Sequence, residues 1–238
     1  MLAVFINVAA VLIGASLGLL FGSRIKENYS KGIMTAIALC TLVIGVQSAI
    51  QTSNILIVMV CLVLGTVIGV ALRLDDRMNG AAGRIRGRLK GTKLAEGPFA
   101  EGFITTTMLF CVGTMTVIGS IEAGLNQNYE ILIAKSIMDF MSSLIFAAAL
   151  GAGVLLSAVS VLVIQGGIVL LAGLAAPVLT TEVVTEMTAV GGTLFIGMAI
   201  NLLGISEKHI KIGDMLPGIF LPILYFPLKA LLSGLFWR

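Results

Sequence analysis

Long uncharged stretches alternate along this chain with short polar breaks. Leu2 to Gly22 carries no charge, and about 20 apolar residues suffice for a helix to cross a bilayer core. Gly32 to Leu72 is also uncharged and long enough for two spans, with Gln51-Thr-Ser-Asn54 as the turn between them. Gly102 to Ile121 reads as a fourth span and Ile131 to Leu150 as a fifth. Phe140 to Thr181 is again without charge, so it holds the rest of the fifth span and a sixth, parted at Gly151-Ala-Gly153. Met187 to Ser206 gives a seventh, after a polar segment from Pro177 to Glu186, and Asp214 to Phe236 an eighth. The pattern predicts an all-α membrane protein of about eight transmembrane helices. Residues 1–238 form a single polytopic domain. The first three spans and a polar loop fill 1–98, and the remaining spans fill 99–238.

Small residues punctuate several spans. Gly14, Gly18 and Gly22 recur every four residues in the first, and Gly65 and Gly69 in the third. Such strips let helix backbones approach closely. The fourth span holds Thr105, Thr106, Thr107, Thr114 and Thr116 with Gly113 and Gly119. Two readings stay open: an interrupted span that exposes backbone groups to a ligand, or hydroxyls bonded back to their own helix with glycines as packing contacts. Pro217, Pro222 and Pro227 lie in the last span, which is expected to be kinked or broken. Spans two and five open alike, Lys31-Gly-Ile-Met34 and Lys135-Ser-Ile-Met138. With three spans per unit, that likeness points to inverted three-helix repeats.

Composition sharpens the class. Of 238 residues, 58% are hydrophobic and only 11% charged, against about 25% charged in a soluble domain. The net charge of +3 is no nucleic-acid signal, because the basic residues sit between spans. Arg24, Lys26 and Lys31 follow the first span, Arg73 to Lys93 the third, and Lys208 and Lys211 the seventh. Glu122, Glu130, Glu182 and Glu186 occupy the alternate breaks. By the positive-inside rule the basic loops are cytoplasmic, with the apolar N-terminus retained as a span. Arg84, Arg86, Arg88, Lys90 and Lys93 are expected to meet anionic lipid headgroups. Cys40, Cys61 and Cys111 fall in apolar runs with neither disulfide nor metal spacing.

The candidate chemistry centres on Ile131 to Leu150. Lys135 and Asp139 are one helical turn apart, and Ser136, Ser142 and Ser143 share their face. Each charge would cost about 3 kcal/mol at the bilayer centre, so the stripe should face protein or a water-filled cavity. Asp139 is a candidate cation or proton site and Lys135 its partner or the contact for an anionic group. Thr114, Thr116, Thr193 and Asn201 are candidate neutral ligands. The bland alternative has Lys135 snorkelling to the surface and Asp139 tying helices together. No HExxH, paired carboxylates or nucleophile with a histidine partner is present, and the single histidine, His209, lies in a loop. Neither enzyme activity, cofactor nor metal is expected.

The run FCVGTMTVIGSIEAGLNQNYEILIAKSIMDF, Phe110 to Phe140, resembles the signature stretch of the YdfK/YqgA-like family. These are bacterial inner-membrane proteins with a domain of unknown function. The resemblance extends to Phe146–Gly151, Ala189–Leu194, Asn201–Ile205 and Asp214-Met-Leu-Pro217. It implies a multi-spanning membrane protein and no particular activity. The residues themselves favour a secondary transporter or permease for a small solute, coupled to an ion or proton. The alternatives are a channel formed by a homo-oligomer, or buried charges with a structural role alone.

Overall fold

A computed structural model describes residues 1–22, 27–88 and 98–226, without the side chains at 27–31, 81, 82, 85, 86 and 88. The side chains of Lys31, Arg86 and Arg88 therefore lie outside it, as do residues Arg24, Lys26, Lys90, Lys93 and Pro227. Among the described residues every regular element is helical. They are α1 (Leu2–Gly22), α2 (Glu27–Ala49), α3 (Ile55–Leu72), α4 (Leu74–Arg88), α5 (Phe99–Cys111), α6 (Thr114–Leu125), α7 (Glu130–Leu150), α8 (Gly153–Leu170), α9 (Ala172–Ala175), α10 (Thr181–Leu203) and a 3₁₀ helix, Ile212–Phe220.

Six of these are continuous helices long and apolar enough to cross a membrane: α1, α2, α3, α7, α8 and α10. The chain is a multi-pass membrane protein. The expected fourth span is two helices, α5 and α6, bent by 55° at Val112-Gly113. Val112 is extended there, and Gly113 has φ 153°, a conformation that side-chain-bearing residues rarely adopt. The two halves advance together along α8. A Cβ on Gly153 would strike the Phe99 carbonyl, Thr107 Oγ1 donates to Ser160 Oγ at 3.2 Å, and Gly124 lies on Val169. The pair therefore crosses as one broken span and does not turn back on itself.

The last segment begins as the 3₁₀ helix, which contains Pro217, and continues to Phe226, the last described residue. The expected break in regular α-helix is present, and whether the segment completes an eighth span lies outside the described residues. Two other boundaries differ from the sequence pattern. Most of the polar segment after Arg73 is helix α4, because Asp75 and Asp76 sit in its first turn, where acids suit the helix dipole. The acidic segment before Met187 is already helix from Thr181, capped by Thr180 Oγ1 accepting from Val183 N.

Glycine strips decide which helices touch. Gly14, Gly18 and Gly22 of α1 lie against the backbone of α7 at Phe140, Leu144 and Ala148, so α1 and α7 run parallel. Gly45 of α2 and Gly192 of α10 face each other, and Gly192 also meets Ala49 N, which makes that pair antiparallel. Gly65 and Gly69 of α3 receive the 3₁₀ helix at Gly218 and Asp214. The elements thereby sort into two bundles. One holds α1 and α5 to α9; the other holds α2, α3, α4, α10 and the 3₁₀ helix. The bundles meet along apolar side chains, such as Ile104 and Met108 of α5 in one cluster with Met187, Val190 and Leu194 of α10.

Close approach makes these glycines irreplaceable while others are free. Gly18→Leu should lower the melting temperature of the detergent-solubilised protein, by the equivalent of about 1–3 kcal/mol or more, because its Cβ meets the Leu144 carbonyl. Gly167→Ala in α8, where no atom lies within 4 Å of the added Cβ, should be neutral or stabilising by up to about 1 kcal/mol. Equal effects at the two sites in a thermal melt would contradict this packing.

Candidate functional site

The inward face of α7 carries Leu132, Lys135, Ser136, Asp139, Ser143, Phe146, Ala147 and Leu150. That is one face of a helix at the three- and four-residue spacing the sequence predicts. Lys135 is 6% and Asp139 4% exposed. The ammonium Nζ donates to both carboxylate oxygens, at 2.8 and 2.6 Å. Lys135 therefore does not snorkel to the surface; it turns to its neighbour one turn on. The Phe110 ring offers its face 5.8 Å from Nζ, a favourable place for a cation.

Two residues outside the predicted set complete the arrangement. Asn7 of α1 donates from Nδ2 to Asp139 Oδ2 at 2.9 Å and to Gln165 Oε1 of α8 at 3.1 Å. Both amides are fully buried. A lysine, an aspartate and two amides thus link three helices of the same bundle. The signal for Asn7 and Gln165 was present: each is a strongly polar side chain in the interior of an apolar span, where such residues are rare and partnered. Asn7 Oδ1 and Gln165 Nε2 are left without a protein partner, which marks unused hydrogen-bonding capacity beside the ion pair.

Lys135 and Asp139 also line a cavity of about 350 Å³ at the seam between the bundles. From their own bundle come Ser142, Leu109, Met138 and the break residues Val112 to Thr116; from the other come Ile44, Ser48 and Gln51 of the α2 end, and Thr188 and Phe195 of α10. Thr114 and Thr116 therefore stand at the site because the helix is interrupted there. Thr116 also repairs the interruption. Its Oγ1 donates to the Phe110 carbonyl at 2.9 Å, satisfying a backbone group that the break releases.

Four of the predicted residues lie elsewhere. Ser136 Oγ donates back to the Leu132 carbonyl at 2.7 Å, and Ser143 Oγ to that of Phe140 at 2.9 Å, where it meets Gly14. Thr193 Oγ1 likewise returns to its own helix at the Ala189 carbonyl, beside an apolar groove of α3 and α10. Asn201 closes the turn after α10 by exchanging two hydrogen bonds, each of 2.9 Å, with the backbone of Ile210. Helical periodicity placed Thr193 and Asn201 on one face correctly but could not say which neighbour that face meets.

Both ends of the second bundle carry polar clamps. Glu186, 1% exposed, accepts from Thr52 Oγ1 at 2.6 Å, Ser53 N at 2.9 Å and Ser53 Oγ at 2.8 Å. It fastens the α2–α3 turn to α10 next to the cavity residues Ser48 and Gln51. At the opposite end, Asp214 Oδ1 accepts from Asp75 N and Asp75 Oδ1 from Gly213 N, each at 3.0 Å. Lys211 Nζ donates to Asp76 at 2.9 Å; that hydrogen bond holds the exposed ammonium above its ordinary pKa. Among the described residues no cluster of metal-ligating side chains occurs. Cys61 and Cys111 are buried, whereas Cys40 is exposed on α2.

The family model "Protein of unknown function (DUF554)" matches residues 2–226. The chain belongs to this family. It is 29% identical over 228 residues to "Uncharacterized protein YqgA" of Escherichia coli (strain K12), covering 95% of each chain. It is 26% identical over 220 residues to "Uncharacterized membrane protein YdfK" of Bacillus subtilis (strain 168), covering 91% of each. No solved structure matches. The family to which the Phe110–Phe140 stretch pointed is thus the family to which the chain belongs, and neither relative's name carries an activity.

Removing one partner of a buried ion pair leaves the other charge uncompensated, at a cost of about 3–5 kcal/mol, whereas removing both is far milder. Asp139→Ala should therefore destabilise the protein strongly, and the double substitution Lys135→Met with Asp139→Asn should recover most of the loss in thermal melts. Strictly additive effects would show that the two charges are not coupled. Glu186→Ala strands two hydroxyls and a backbone N–H, and should cost about 1–3 kcal/mol.

Proposed function

We propose that this protein is a secondary transporter or permease for a small solute, with a cation or proton entering at Asp139. The observation that carries the reading is the cavity at the junction of two bundles, with a buried lysine–aspartate pair and a helix break in its wall. A discontinuous helix at an ionisable site is how many transporters present backbone and charge to a solute. The bundles meet through apolar side chains, which suits rocking of one against the other around a fixed site.

Helix directions support the same reading. The parallel pair α1–α7 and the broken span running along α8 give spans four to six the opposite sense to spans one to three, as inverted repeats require. Glu122, Glu130, Glu182 and Glu186 gather at the end where α7 and α10 start, while Arg73, Arg77, Lys208 and Lys211 lie at the other. By the positive-inside rule the second end is cytoplasmic, in a bacterial inner membrane. Gln51 carries the cavity wall to the acidic end, the end that this reading places outside. Exposed Arg84 on α4 belongs to the basic segment proposed to rest on anionic lipid headgroups.

The test is flux in proteoliposomes holding a pH-sensitive dye, challenged with a panel of small organic acids, amines, amino acids and alkali-metal salts. The expected outcome is saturable flux of one solute class, reduced at least about tenfold by Asp139→Asn. Linear, unsaturable flux would indicate a channel instead, and unchanged flux in Asp139→Asn would remove Asp139 from coupling.

A further inference from the structure

We infer that the solute is a small zwitterion carrying both an ammonium and a carboxylate, as an α-amino acid does. The inference rests on the cavity being the solute site, as proposed above. Its argument is charge balance. Lys135 and Asp139 sum to zero and compensate each other where little water reaches them: Nζ touches both carboxylate oxygens, and both residues are buried. An incoming anion that drew Lys135 away would leave Asp139 uncompensated, and a bare cation at Asp139 would do the same to Lys135. Each arrangement carries the penalty of a lone buried charge. A zwitterion carries no net charge and supplies both missing partners. Its ammonium takes the place of Nζ at Asp139, and its carboxylate meets the displaced Nζ.

The surroundings fit that exchange. Asp139 also accepts from Asn7 Nδ2, a hydrogen bond that the exchange leaves in place. Phe110 lies against Nζ to hold the released ammonium. The remaining lining is mixed. Ser48 and Ser142 supply hydroxyls, while Leu109, Met138 and Phe195 supply apolar surface for the rest of the solute. A volume of about 350 Å³ is at the small end of ligand pockets, so the solute is compact. On this reading the cation that enters at Asp139 is part of the solute itself.

The experiment uses the purified full-length protein in lipid nanodiscs and reads its melting temperature. The probes are L-leucine, L-alanine and L-serine, each with its deaminated and decarboxylated counterpart: 4-methylpentanoate and isoamylamine, propionate and ethylamine, 3-hydroxypropionate and ethanolamine. At least one amino acid should stabilise the protein saturably, at a concentration about tenfold or more below that needed by either of its counterparts. The double substitution Lys135→Met with Asp139→Asn, which removes both charges together, should abolish the response. Stabilisation by the acids alone, by the amines alone, by all three classes equally, or by none of the amino acids overturns the inference. If those probes fail while another solute shows saturable flux, the zwitterion is wrong and the transporter reading stands. If an amino acid binds but nothing moves in proteoliposomes, the transporter reading is wrong and the ligand class stands.

Discussion

A lysine and an aspartate one turn apart inside a transmembrane helix constrain everything near them. Hydrocarbon offers no solvation, so each charge must find its compensation within the protein. Lys135 and Asp139 find it first in each other, and then in Asn7 from α1 and the face of Phe110 from α5. The contact with Asn7 demands that α1 lie close along α7. Gly14, Gly18 and Gly22 make that approach sterically possible. Gln165 of α8 then occupies the far side of Asn7. The position of three helices follows from the need to surround one ion pair.

The same pair explains why the fourth span is broken where it is. A continuous helix satisfies its own backbone and presents only side chains to its neighbours. Ending α5 at Cys111 and restarting at Thr114 opens space beside Lys135 and turns Val112 to Thr116 into cavity wall. Gly113 makes the turn conformationally accessible, and Thr116 takes up one of the freed carbonyls. The interruption belongs to the site as much as the charges do.

The sequence made the helices legible because hydropathy reports burial in lipid, and lipid burial demands helix. It also made the glycine strips legible, since spacing of four defines a face whatever that face touches. Lys135, Asp139, Ser142, Thr114 and Thr116 could be placed at one site because the first three lie on adjoining turns of α7 and the other two beside the break that opens α6. Asn201 and Thr193 could not be placed, because periodicity assigns a face but no partner. Glu186 was hidden for a different reason. Its carboxylate looked like part of a polar connection, and only the α2–α3 turn folding back onto α10 shows that Thr52 and Ser53 bury it. Hydropathy cannot detect a charge whose solvation comes from residues well over a hundred positions away.

Among the described residues, the polar contacts that link separate segments group by bundle. The Lys135–Asp139–Asn7–Gln165 network and the Thr107–Ser160 bond lie inside the first bundle. Glu186 with Thr52 and Ser53, Asp75 with Asp214, and Asn201 with Ile210 lie inside the second. Hydrogen bonds are directional and weaken steeply when displaced, so they make each bundle rigid. Apolar contact is non-directional and tolerates sliding, and it is what joins Ile104 and Met108 to Val190 and Leu194 across the seam. The cavity lies along that apolar seam, lined from both halves.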